Sequence, residues 1–90
     1  MKLAPALTAG NCVVLKPSEF SPLTTMFAAR LCDEVGFPPG VVNFLFGTGR
    51  GCGAPLAESP LIDMISFTGS VPTGASIMRA ASQHIVKPLL

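Results

Sequence analysis

Phe67-Thr68-Gly69-Ser70-Val71-Pro72-Thr73-Gly74 stands between two stretches of different pattern. Before it, Ile62-Asp63-Met64-Ile65-Ser66-Phe67 is apolar and strand-like. After it, Ala75-Ser76-Ile77-Met78-Arg79-Ala80-Ala81 is helix-like. The octapeptide therefore reads as the end of a strand, a tight glycine turn and a helix start. Ser70 suits the N-cap, where its oxygen accepts from a free N–H one turn in. Pro72 suits the first turn, where a missing donor costs little. The free N–H groups and the positive end of the dipole favour an anion there, typically a phosphate. Gly69-x-x-x-x-Gly74 has the spacing of a P-loop, but Ala75-Ser76 follows where Lys and Ser/Thr are needed. Nucleoside triphosphate hydrolysis is not indicated. From the turn alone, a phosphate site and a glycine turn for close helix–strand packing both remain open.

Working outward, the same alternation recurs. Residues 3–9 read as a helix tail closed by Gly10-Asn11. Cys12-Val13-Val14-Leu15-Lys16 is an apolar run suited to a parallel strand covered on both faces, and Pro17 stops it. Ser21 and Pro22 resemble an N-cap and first helical position. Leu23, Phe27, Leu31 and Val35 then recur at i+4, with Met26, Ala28 and Cys32 widening the stripe. Gly36 is a left-handed stop, and Pro38-Pro39 prevents continuation. Val41-Val42-Asn43-Phe44-Leu45-Phe46 is a second buried strand, in which Asn43 needs a partner. A glycine loop over 47–53, a short helix over 54–58, the third strand and a helix over about 73–83 follow. Lys87-Pro88-Leu89-Leu90 reads as extended, the start of a fourth strand.

The order β-α-β-α-β-α, with short connections, implies parallel strands and right-handed crossovers. The fold class expected is α/β, a Rossmann-like β-α-β-α-β-α parallel-sheet fragment with its three strands in one sheet. In such a sheet the loops 16–19, 47–53 and 68–74 meet at one edge, where ligands sit in open α/β folds.

Composition narrows the function classes. Ninety residues make at most one small domain. Charged residues are 12%, about half the usual share, and 49% are apolar. This excess of apolar surface suggests a piece of a larger protein. The net charge of +1 gives no argument for nucleic acid or an anionic membrane. The apolar runs fall far short of the ~20 residues a membrane span needs. Residues 1–7 imitate a secretory signal only faintly, with Pro5 interrupting a short apolar stretch. Cys12, Cys32 and Cys52 are odd in number and widely spaced. No disulfide framework or metal site is visible, and a reducing compartment such as the cytoplasm is expected.

Two further stretches carry chemistry. Gly49-x-Gly51-x-x-Ala54 matches the alanine form of the dinucleotide fingerprint between a strand and a helix. The following strand, however, ends Ser66-Phe67-Thr68, without the acid that reads a ribose. Lys16-Pro17-Ser18-Glu19 places a cation and a carboxylate just past a buried strand. A carboxylate accepts from ribose hydroxyls and a lysine donates to them; a solvated loop with a weak ion pair is the alternative. Cys12 and Cys32 read as core filler, and Cys52 as a loop thiol that Arg50 activates slightly at most. His84 has no metal-ligand neighbour, and Met26, Met64 and Met78 read as packing residues. There is no paired-carboxylate site and no Ser-His-Asp order.

Together the segments resemble the aldehyde dehydrogenase superfamily. The matching text is Leu3-Ala4-Pro5-Ala6-Leu7-Thr8-Ala9-Gly10-Asn11, then Val13-Val14-Leu15-Lys16-Pro17-Ser18-Glu19. It continues with Gly36-Phe37-Pro38-Pro39-Gly40-Val41-Val42-Asn43, the Gly47-x-Gly49 loop and Phe67-Thr68-Gly69-Ser70. The resemblance covers nearly all of the chain, in order. It implies a partial NAD(P)-binding domain over residues 1–90. By the same resemblance, Lys16 contacts the adenosine ribose and Glu19 its hydroxyls. Ser70, at the helix start, touches the pyrophosphate, and Gly47 and Gly51 flank the adenine side. Ser18, Phe67 and Gly69 complete the implied cofactor-binding set. Glu19 would repel a 2′-phosphate, favouring NAD over NADP.

The resemblance also implies the reaction: oxidation of an aldehyde to an acid by a cysteine nucleophile, oxyanion donors and a glutamate base. In the family the oxyanion-donating asparagine lies before the matching segment, and the glutamate base and nucleophilic cysteine lie after it. None of Cys12, Cys32 and Cys52 takes the catalytic position. The 90-residue chain is expected to lack catalytic residues and to be inactive alone, with the aldehyde met only by a full-length, homo-oligomeric enzyme. Gly53-Ala54-Pro55-Leu56 with Val86-Lys87-Pro88 is similar to the betaine-aldehyde and aminoaldehyde branch. The competing reading is a non-catalytic remnant, at most a weak nucleotide-binding or assembly module.

Overall fold

The computed structural model describes residues 3–20 and 22–83, and the backbone of 87–89. It divides into two compact units, residues 1–49 and 50–90.

In the first unit, α1 (Leu3–Thr8) ends as Gly10-Asn11 predicts. Gly10 takes the left-handed conformation (φ 88°). The Gly10 and Asn11 N–H groups donate to the Leu7 and Ala6 carbonyls at 3.0 and 3.1 Å. This is the paired bonding that closes a helix on a glycine. The Asn11 side chain adds a second bond to Ala6 O, at 3.1 Å. The chain then enters β1 (Val13–Leu15), crosses through α2 (Leu23–Val35) and returns in β2 (Val42–Phe44). Ser21, the expected N-cap, lies outside the described residues. Pro22 stands immediately before α2, and its carbonyl accepts from Met26 N at 2.9 Å. Gly36 stops α2 in the left-handed conformation (φ 89°), its N–H on the Cys32 carbonyl at 3.3 Å. β1 and β2 run parallel, pairing Val13 with Val42 and Leu15 with Phe44.

The glycine-rich stretch winds into a π-helical turn, Gly49–Gly53, rather than an open loop, and all of it but Gly49 belongs to the second unit. It runs into α3 (Ala54–Glu58), with Pro55 in the first turn. β3 (Met64–Ser66) leads through the Phe67–Ser70 turn into α4 (Val71–Ser82). β4 (Lys87–Leu89) pairs parallel with β3, Ile65 opposite Pro88.

One expectation is corrected by the pairing. Among the described residues the ladders form two parallel pairs, β1 with β2 and β3 with β4, not the single sheet expected. An unbroken apolar run announces a covered strand but does not name its neighbour. The α/β character and the parallel sense hold.

Burial brings a second correction. The i+4 stripe of α2 faces out: Leu23 is 77% exposed, Phe27 62% and Val35 74%. Thr25, Ala28, Ala29 and Cys32 are its half-buried side. A groove of about 380 Å³ lies between α2 and β2, bordered by Ala29, Cys32, Asp33, Phe37, Val42 and Phe44. α2 is thus apolar on two sides, the pattern of a helix meant to be enclosed. In the second unit small residues are enclosed instead: Ala57 of α3, and Gly74 and Ala81 of α4. Met26, Met64 and Met78, read as packing residues, are each about half exposed, at 51, 48 and 51%. None of the described helices is long and apolar enough to cross a membrane.

Candidate functional site

The expected cofactor residues fall in two groups, one in each unit. Lys16, Ser18, Glu19 and Gly47 belong to the first unit; Gly51, Phe67, Gly69 and Ser70 belong to the second.

In the first unit the parallel pairing decides the arrangement. Leu15 and Phe44 are opposite one another, and Leu45 N donates to Leu15 O at 3.0 Å. Both strands therefore finish at one edge. Lys16 leaves that edge directly, and Gly47 three residues after Phe44. The Lys16 ammonium is half-buried and donates to the Pro17 carbonyl at 3.1 Å. Ser18 Oγ accepts from Phe20 N at 3.3 Å, a hydroxyl-closed bend that carries Glu19 at its tip. Ser18, Glu19 and Gly47 are exposed. The edge thus presents a cationic donor and an accessible carboxylate acceptor, the complementary pair that a diol requires.

In the second unit the site is the head of α4. Ser70 has extended backbone (φ −71°, ψ 153°), and its Oγ accepts from Thr73 N at 3.4 Å. It also donates to Thr73 Oγ1 at 2.9 Å, while Gly74 N reaches the Ser70 carbonyl at 3.0 Å. The N-cap expected at Ser70 is present. Its hydroxyl partner Thr73 is not among the expected site residues; a Thr three residues after an N-cap Ser is the signal available for it. Gly69 has a steric reason to be glycine: a Cβ there would lie 2.5 Å from Phe67 Cζ. Phe67 is half-buried, and Gly69 and Ser70 are exposed. An anion at this helix head would meet the positive end of the α4 dipole, with the Ser70 hydroxyl, Thr73 N and Gly74 N engaged within the turn.

The remaining candidates are placed as follows. Gly51 is exposed within the π-helical turn. A Cβ on Gly49 would meet nothing within 4 Å, so close packing does not explain the first glycine of the fingerprint. Cys12, expected in the core, is exposed; Cys32 and Cys52 are half-buried; all three are free thiols. Cys12 stands just before the ladder, which begins at Val13. His84 lies outside the described residues. Asn43 finds its partners: its side-chain amide donates to Val13 O at 3.1 Å and to Gly40 O at 3.0 Å. The first unit thus offers an ammonium donor and a carboxylate acceptor, and the second a capped helix head; these are group types that a ribose and a phosphate can each meet.

Comparison with known proteins gives a consistent result. The profile of the Aldehyde dehydrogenase family matches residues 1–90. Aminoaldehyde dehydrogenase 2, peroxisomal, of Malus domestica is 54% identical over 88 residues, which is 98% of this chain and 17% of the relative. Among solved structures, lactaldehyde dehydrogenase from Escherichia coli superposes with a TM-score of 0.93 at 46% identity, over 97% of this chain and 18% of that one. A point mutant of betaine aldehyde dehydrogenase from Staphylococcus aureus, solved in complex with NAD+, gives a TM-score of 0.94 at 41% identity, over the same shares. The chain therefore spans less than a fifth of the length of these relatives.

Proposed function

The chain belongs to the aldehyde dehydrogenase family, and we propose that it supplies part of the Rossmann-like NAD(P)-binding domain of such an enzyme. Lys16 and Glu19 read the adenosine ribose. Ser70 and the head of α4 receive the pyrophosphate. Gly47 and Gly51 flank the adenine side, and Ser18, Phe67 and Gly69 complete the cofactor-binding set. The observation that carries this reading is the capped turn at Ser70, where hydroxyl and helix head are accessible together. To take an anion, Ser70 exchanges its bond to Thr73 Oγ1 for one to the ligand.

The cofactor, when bound, accepts the hydride removed from an aldehyde. Lys16, Glu19 and Ser70 bind and orient it; the nucleophile, oxyanion donors and base belong to other parts of a full-length, homo-oligomeric enzyme. The 90 residues alone are inactive toward aldehydes. An aminoaldehyde or betaine aldehyde is the proposed substrate class, supported by the matches to the Malus and Staphylococcus proteins. The proposed compartment is the cytoplasm, on the free thiols alone, although the Malus relative is described as peroxisomal.

Titration with NAD tests the reading. Saturable binding should weaken about tenfold or more in Lys16→Ala and in Glu19→Ala, since a hydrogen bond to a charged group contributes about 1.5–3 kcal/mol. Glu19 should also make NADP the weaker ligand by charge repulsion. The second reading, a non-catalytic remnant acting in assembly, draws on the exposed stripe of α2. Absence of binding at millimolar NAD would favour it.

A further inference from the structure

Asn43 is the one polar residue in the paired segments of β1 and β2, Val13-Val14-Leu15 and Val42-Asn43-Phe44. The rest of the pair has no apolar–polar alternation. Alternation is what normally forbids a one-residue slip, by driving a hydrophobic set into solvent. A strand pair that is apolar on both faces lacks that safeguard, and two three-residue strands have few ladder bonds with which to replace it.

The Asn43 side chain replaces it. Its Nδ2 donates to the Val13 carbonyl on the neighbouring strand, 3.1 Å away and 30 residues distant in sequence. The same group donates to the Gly40 carbonyl at 3.0 Å, in the turn where Gly40 has φ 86° and Val41 N reaches Pro38 O at 3.2 Å. The side chain thus ties three things together: the start of β1, the turn before β2, and β2 itself. A shift of β1 by one residue moves it about 3.3 Å along its axis and carries the Val13 carbonyl out of hydrogen-bond range. The bond to Gly40 O is kept, but one N–H of the half-buried amide loses its acceptor, and that loss opposes the shift. A single polar side chain fixing register in an apolar contact has precedent in coiled coils.

Register has a functional consequence because Lys16 is the residue after β1. A one-residue slip turns it from one face of the sheet to the other, and the Ser18–Glu19 bend goes with it. We infer that Asn43 is a positioning residue for nucleotide binding: its side-chain amide fixes the β1–β2 register that places Lys16 and Glu19. The functional half of this inference rests on the cofactor reading above; the register half does not.

The experiment uses the full polypeptide that carries this stretch, with Asn43→Leu, Asn43→Ser and Asn43→Gln variants, a crystal structure of each and NAD as titrant. In Asn43→Leu and Asn43→Ser, Val13 should leave its place opposite Val42 or occupy two registers. NAD affinity should fall about tenfold while the thermal midpoint changes little. Asn43→Gln, which keeps the donor, should recover most of the affinity. Where Asn43→Leu does not fold, Asn43→Ser is read in the same way. A folded variant that keeps Val13 opposite Val42 and binds NAD as tightly as the parent overturns the inference. So does an affinity loss that tracks global destabilisation and is not rescued by Asn43→Gln. If register shifts while Lys16→Ala leaves affinity untouched, the register role stands and the cofactor reading of Lys16 fails.

Discussion

The two strand ends that carry the candidate residues are built in different ways. After β1 the chain makes a side-chain-stabilised bend: Lys16 leans on the Pro17 carbonyl and Ser18 closes on Phe20 N. Its chemistry lies in side chains, and its bonds are single and partly solvated. After β3 the chain turns into a helix within four residues, Ser70 capping Thr73 and the Phe67 ring filling the space over Gly69. Its chemistry lies in the backbone and the helix head. A helix head is preorganised whether or not a ligand is present. The bend after β1 owes its placement to strand register.

That contrast can be tested. The largest effect is expected at the helix head. Ser70→Asp preserves the cap and suits the helix dipole, so the midpoint of urea unfolding should hold. The added carboxylate should nevertheless weaken NAD binding tenfold or more, a loss of at least about 1.4 kcal/mol. Retained affinity would remove the pyrophosphate from this turn. Next, Gly69→Ala drives a methyl into the Phe67 ring, which should cost about 1–3 kcal/mol of stability. The double variant with Phe67→Leu should recover part of that cost, because the two residues touch. Ser70→Ala, which loses the cap, should cost about 1 kcal/mol. Ser18→Ala removes one exposed bond and should cost only about 0.5 kcal/mol, read as a small shift in the same midpoint. If Ser18→Ala cost more than Ser70→Ala, the bend after β1 would be the more rigid of the two.

The sequence made these two ends legible to different degrees. Ser70 and Pro72 are local signals, and both act as read; α4 begins at Val71, two residues before the expected Thr73, as an N-cap at Ser70 requires. The ends of α1 and α2 at Gly10 and Gly36 were legible for the same reason. α3 occupies the residues expected of it. What the sequence did not carry is pairing. Val13–Leu15 and Met64–Ser66 are both short, largely apolar segments, and nothing in either says that one joins β2 and the other β4. The strands are also shorter than their apolar runs, because the ladder stops where the chain turns away. α2 misled for a related reason. Its i+4 spacing picks out Leu23, Phe27, Leu31 and Val35, but small residues occupy the opposite side. Periodicity finds an apolar stripe; it does not tell which of two stripes meets the strands. For the candidate site, the residue types at Lys16 and Glu19 were legible as chemistry. The role of Asn43 was visible only as a polar residue in need of a partner, until Val13 O and Gly40 O supplied it.

The outward row on α2, Leu23 to Val35, has a cost for the chain as a free molecule. Cellular quality control recognises oily side chains on display, and holdases and proteases compete for whatever shows them. Made by itself at the ribosome, this stretch would be captured or degraded quickly, and its lifetime would depend on how fast that row is shielded.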